Sequence, residues 1–176
     1  NKINQKFVDI VRSTGGNNPY RHLLIAGYDT NIDKTCDDKF KMPTDTAENG
    51  TTKLSVSVHY YTPWDFCGDG GSGIYTQKDK ETTETYFTKM DKFYNAGYGI
   101  IMGEFSVCNP KQEGVAQWLN DTMTIAAKHH ILPVLWETNQ YMDKDNCKMR
   151  YNDIAVLYNT ITGSTGDTSS KINTNG

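Results

Sequence analysis

The chain is 176 residues long, enough for one domain with a core of its own. Its 18 basic and 21 acidic residues leave a formal charge of −3, which argues against a nucleic-acid interface or a polybasic membrane contact. No apolar run approaches the ~20 residues of a membrane span. No signal peptide opens the chain, and Asn1-Lys2-Ile3-Asn4 reads as the middle of a longer polypeptide.

Ile3, Phe7, Ile10 and Val11 recur at helical spacing, and Gly15-Gly16 ends that helix. Leu23, Leu24 and Ile25 mark a buried strand over residues 22–27, followed by a long polar loop over 28–53. Residues 54–61 alternate, with Leu54, Val56, Val58 and Tyr60 against Ser55, Ser57, His59 and Tyr61, so this strand has two unlike faces. The next loop, 62–80, carries Pro63-Trp64 and a glycine cluster. A helix is expected over 82–95, a strand over 99–105, a helix over 111–128, a strand over 131–136 and a last helix over 152–161. Residues 163–176 are rich in Ser, Thr and Gly and are expected to form a polar, flexible tail.

Strands alternating with helices imply parallel βαβ units. Four units make half of a (β/α)8 barrel, whose complete form takes ~250 residues. No glycine-rich phosphate loop follows the first strand, which weakens a nucleotide-binding reading. Cys36, Cys67, Cys108 and Cys147 lack CxxC spacing, so zinc and thioredoxin-type chemistry are disfavoured. Disulfides of a secreted protein and four free thiols both fit. Asn49-Gly50-Thr51 and Asn120-Asp121-Thr122 match the glycosylation sequon, a frequent chance match.

Barrel enzymes carry their reactive groups at the C-terminal ends of strands. Here those ends read Gly27-Tyr28-Asp29, His59-Tyr60-Tyr61, Gly103-Glu104-Phe105 and Leu135-Trp136-Glu137. Glu104 closes an apolar strand, where a carboxylate is costly to desolvate unless it is paired or used. It reads either as a structural ion-pair member or as a catalytic carboxylate. His59 and Tyr61 lie two apart on one strand, so they share a face. They read as a satisfied core pair, or as groups that orient a carboxylate and bind sugar hydroxyls. Trp136 reads as core or as a stacking platform, since sugar rings lie on aromatic faces. His129-His130 stand at the opposite end of the fourth strand and read as structural.

Taken together, these strand ends resemble glycoside hydrolase family 5. Ser57-Val58-His59-Tyr60-Tyr61-Thr62-Pro63-Trp64 is similar to the family's His-x-Tyr sixth strand, and Ile101-Met102-Gly103-Glu104-Phe105 to its seventh. Pro133-Val134-Leu135-Trp136 is similar to the eighth strand, and Ile25-Ala26-Gly27-Tyr28-Asp29-Thr30 to the fifth strand of its endoglucanase and xyloglucanase subgroup. The resemblance implies an α/β fold, with residues 1–162 as the C-terminal half, strands five to eight, of a (β/α)8 TIM barrel. It implies a secreted, retaining endo-β-1,4-glucanase that uses no cofactor. Glu104 would be the nucleophile, Tyr61 its hydrogen-bond donor and His59 a substrate contact. Trp136, Trp64, Tyr60 and Tyr28 would face the sugar.

The chain departs from the family in lacking any Asn-Glu dipeptide, the family's acid/base signature, and the family's third-strand Arg. Both would lie upstream, so the chain alone is expected to be inactive. Its expected partners are a β-glucan and either the N-terminal half of the barrel or a second copy of itself. The rival readings are a non-catalytic carbohydrate-binding half-barrel, a family 5 enzyme for xyloglucan, mannan or xylan, and a parallel-sheet enzyme unrelated to sugars.

Overall fold

A computed structural model describes residues 1–47, 53–137 and 139–163. The Asn49-Gly50-Thr51 sequon and the tail beyond Gly163 lie outside the described residues. The elements in chain order are α1 (Lys2–Ser13), β1 (Leu23–Asn31), α2 (Ile32–Cys36), β2 (Leu54–Tyr60), α3 (Trp64–Cys67), α4 (Gln77–Asn95) and β3 (Gly99–Phe105). Then follow α5 (Val115–Lys128), β4 (Ile131–Leu135), a small antiparallel pair β5 (Met142–Asp143) and β6 (Lys148–Met149), and α6 (Asn152–Thr162).

The four long strands form one parallel sheet in the order β1-β2-β3-β4, as successive βα units dictate. One face of the sheet is covered. Val56, Val58, Tyr60, Ile100, Met102 and Phe105 pack against Phe87 and Met90 of α4 and Trp118, Leu119 and Met123 of α5. A smaller cluster joins Val8 of α1 to Leu23, Ile25 and Leu54. The other face is bare: Leu24, Leu132, Val134 and Trp136 are between 44 % and 60 % exposed. The expectation that β4 is apolar on both sides holds in composition, but only Ile131 of its side chains is fully buried.

The differences from the expected elements have local causes. Helix α4 begins five residues earlier than its apolar spacing suggests, because Thr76 and Asp79 form a capping box. The backbone N–H of Thr76 donates to Asp79 Oδ2 at 2.8 Å. Helix α5 starts at Val115, after Gly114 takes a left-handed φ of 90°. Two short helices, α2 and α3, occupy stretches read as loop. Among the described residues the four cysteines are free thiols.

Candidate active site

Two backbone irregularities aim side chains at the C-terminal end of the sheet. In β3 the register runs Val58↔Met102 and then His59↔Glu104, so β3 carries one extra residue at Gly103. Strand side chains alternate, and a one-residue insertion moves all later ones to the opposite face. Met102 therefore lies in the core, Glu104 turns to the bare face, and Phe105 returns to the core. Without the bulge, Glu104 would point into the apolar layer beneath α5. In β1 the register runs Ala26↔Ser57 and then Asn31↔His59, five residues against two. The chain bows outward there, and Asp29 and Thr30 adopt φ of 57° and 49°.

At the end of β2, His59 and Tyr61 both reach Glu104. The Tyr61 hydroxyl donates to Glu104 Oε2 at 3.0 Å, and His59 Nδ1 lies 3.2 Å from the same oxygen. The Glu104 side chain is 26 % exposed, so it is shielded yet open to a ligand. Burial, with the Glu104 carboxylate close by, pushes the Tyr61 hydroxyl well above its ordinary range and keeps it a donor. The three residues line one groove of about 660 Å3 with Asp29, Thr30, Asn31, Asp33, Trp64 and Tyr86.

Trp64 stands on the rim, 68 % exposed, with its ring edge-on to Tyr61 at 6.3 Å. Its position is built from below. Buried Trp118 donates Nε1–H to the Thr62 carbonyl at 2.9 Å, which fixes the turn out of β2. Gly68 lies against Trp64: a Cβ there would meet the indole at 2.6 Å. Trp136 follows β4, 44 % exposed on the bare face, and its backbone N–H donates to Phe105 O at 3.0 Å. Glu137 is turned away into structure, accepting from the backbone N–H groups of Tyr141 and Met142 at 2.8 and 3.1 Å.

Two residues read as sugar contacts are placed elsewhere. Tyr60 is 1 % exposed, bonded through its hydroxyl to Thr83 at 2.8 Å and stacked on Trp118. Strand alternation puts it on the core face, opposite His59 and Tyr61. Tyr28 is 82 % exposed and lines a different cavity with Asn4, Lys34 and Phe40, because the bow in β1 carries it outward. His129 is structural: its two ring nitrogens face Asp91 and Glu84 at 2.9 and 3.0 Å. Sequence reading missed Asp33 and Tyr86, whose only signal was membership of elements that approach the groove.

The profile of the cellulase family (glycosyl hydrolase family 5) matches residues 1–142. The chain is 35% identical over 163 residues to Endoglucanase A of Paenibacillus barcinonensis, covering 78% of this chain and 41% of that protein. It is 31% identical over 144 residues to Endoglucanase B of Neocallimastix patriciarum, covering 80% of this chain and 29% of that protein. Among solved structures, it matches a broad-specificity endoglucanase from an uncultured bovine rumen ciliate with a TM-score of 0.77 and 30% identity, over 92% of this chain and 53% of that one. A family 5 lichenase from a Caldicellulosiruptor species, solved with cellotetraose, matches with a TM-score of 0.77 and 26% identity, over 89% and 47%. The chain thus spans about half the length of the solved relatives and less of the curated ones. Its parallel four-stranded sheet corresponds to half of their (β/α)8 barrel.

Proposed function

The chain belongs to the cellulases of glycosyl hydrolase family 5, and from that premise we propose that it supplies the nucleophile half of a retaining endo-β-1,4-glucanase site. The observation that carries this reading is the convergence of Tyr61 and His59 on Glu104 Oε2 at the mouth of a groove. Two neighbours on one oxygen hold the carboxylate in a single orientation before substrate arrives.

In the proposed reaction Glu104 attacks the anomeric carbon as the glycosidic C–O bond breaks, forming a covalent glycosyl-enzyme. A carboxylic acid from elsewhere in the complete barrel protonates the departing oxygen. The same group, now a base, takes a proton from water, which attacks the anomeric carbon and releases Glu104. Configuration is retained because the carbon is inverted twice. Tyr61 and His59 hold Glu104, and Trp136 provides an apolar face for the sugar being cleaved. The substrate class is β-glucan, supported by relatives named as endoglucanases and by the cellotetraose complex of the lichenase. Secretion fits such a polymeric substrate.

The test is mechanism-based labelling of the complete enzyme with a 2-deoxy-2-fluoro-β-cellobioside, followed by peptide mapping. The label should fall on Glu104, and Glu104→Gln should neither be labelled nor turn over an aryl cellobioside. Label on another carboxylate, or substantial turnover by Glu104→Gln, removes Glu104 from the nucleophile role.

A further inference from the structure

Two of the four thiols stand side by side close to Tyr61, whose hydroxyl feels the charge of each. Cys67 ends α3, the short helix that opens with Trp64, and is fully buried. Cys108 lies shortly past the end of β3 and is half-buried. The Cys108 backbone N–H donates to the Cys67 carbonyl at 2.9 Å. A backbone bond of that length leaves the two Cα atoms about 5–6 Å apart, within the span a disulfide bridges. The Cys108 segment is also held from its other side. Gln140 Nε2 donates to the Cys108 carbonyl at 2.9 Å, and the buried Tyr141 hydroxyl donates to the Val107 carbonyl at 2.7 Å. Burial, and then the neighbouring Cys108 sulfur, push the Cys67 thiol above its ordinary range, so the two sulfurs are near enough to sense each other's charge. The other two thiols are engaged elsewhere. Cys36 Sγ lies 3.4 Å from Met90 Sδ, and Cys147 Sγ donates to the Lys144 carbonyl at 3.7 Å.

We propose that Cys67 and Cys108 form a disulfide when the chain folds in an oxidising medium, fastening the helix that carries Trp64 to the segment that leaves β3 beyond Glu104. The oxidant is a small-molecule disulfide such as oxidised glutathione. The more exposed Cys108, as thiolate, attacks one of its sulfurs, and one glutathione thiolate leaves. Cys67, its proton given up to water, attacks the Cys108 sulfur and expels the second glutathione. The protein's two thiols are oxidised by two electrons, the reagent's S–S bond is reduced to two thiols, and both protons end on glutathione. Burial holds Cys67 as the thiol in the folded chain, which slows the second attack, so the bond forms during folding, before Cys67 is enclosed. Once formed, it closes a loop that contains α4 and β3 and limits the freedom of the unfolded chain. The proposal is independent of the role of Glu104.

The experiment refolds the complete enzyme in a mixture of reduced and oxidised glutathione, blocks the remaining thiols with iodoacetamide in denaturant, and digests the product without reduction. Mass spectrometry should find the peptides of Cys67 and Cys108 joined. Alkyl or glutathione adducts on both residues, or a bond from either to a different cysteine, overturn the proposal. Melting temperature gives a second readout. Reductant should lower that of the parent by several degrees and that of Cys108→Ser by less, since the variant has no bond there to lose. An equal shift in the two proteins overturns the proposed bracing of the fold by this bond.

Discussion

At the scale of single residues, the site depends on one carboxylate oxygen. Tyr61→Phe removes the shorter of the two contacts to Glu104 Oε2 while leaving the ring in place. A hydrogen bond to an ionised group contributes roughly 1.5–3 kcal/mol, so kcat/KM of the complete enzyme is expected to fall about 10- to 100-fold. Full activity in Tyr61→Phe would leave His59 as the orienting group. A second residue-scale prediction concerns stability. Arg12 pairs with Asp45 through Nε at 2.8 Å and Nη2 at 3.1 Å, and both side chains are nearly buried. That hydrogen bonding, with the Lys53 and Ala47 backbone N–H groups, lowers the Asp45 carboxyl from 3.8 to about 2. Between those values the unfolded chain binds more protons than the folded one, so stability rises with pH. The contribution, roughly 2 kcal/mol, is present in full above the unfolded value and is lost as pH falls through about 2. Unfolding curves of Asp45→Asn and its parent should differ at neutral pH and converge toward pH 2. A gap that stays constant would mean that the pair is not what titrates.

At the scale of elements, α2 is pressed against β1 by the absence of a side chain. A Cβ on Gly27 would stand 2.4 Å from Thr35 Oγ1 and 3.0 Å from its Cα, so backbone as well as side chain would have to move. Gly27→Ala is expected to cost about 1–3 kcal/mol and to displace α2 with Asp33. Thermal unfolding would show the first effect, and a lowered kcat/KM of the complete enzyme on a glucan oligosaccharide the second. An unchanged melting temperature would show that α2 shifts freely. The four long strands and four of the helices were legible because their apolar residues recur with a clear period. Helices α2 and α3 have five and four residues, too few for any period to show. The grouping of Glu104 with His59 and Tyr61 was legible as strand ends in a family-like order. The misassignment of Tyr60 came from counting proximity to the strand end above alternation, which had already placed it with Val56 and Val58. Asp33 and Tyr86 lay beyond reach, being 53 residues apart and joined only by the packing of α2 on α4.

At the scale of the whole molecule, among the described residues the sheet has one covered and one bare face, and both edge strands, β1 and β4, have a strand partner on one side only. Leu24, Leu132, Val134 and Trp136 make the bare face apolar. Monomers rarely expose a contiguous patch of this kind, and open parallel edges invite pairing. The 176-residue chain by itself is therefore expected to associate, with a second copy or with the complementary half of a barrel, and to bind a hydrophobic dye. Light scattering would decide: a dye-silent, soluble monomer at micromolar concentration would contradict this. The chain alone is also expected to hydrolyse no glucan, since general acid assistance is worth roughly 10²–10⁴ in rate. Addition of the complementary half should restore turnover.

The extra residue at Gly103 also gives β3 two reading frames. Upstream of it the core takes every second residue, Ile100 and Met102; downstream the count skips, and the core resumes three places on at Phe105. A saturation survey of the strand should record that skip directly, as intolerance to polar substitution spaced by two and then by three. Deleting Gly103 would restore an even beat without exchanging the faces, since Glu104 would then follow Met102 directly and keep its pairing with His59. Straightening the strand with Gly103 retained would instead bury the carboxylate and present a phenyl ring to the groove. Chemistry and packing on this strand are thus separated by a single residue of phase.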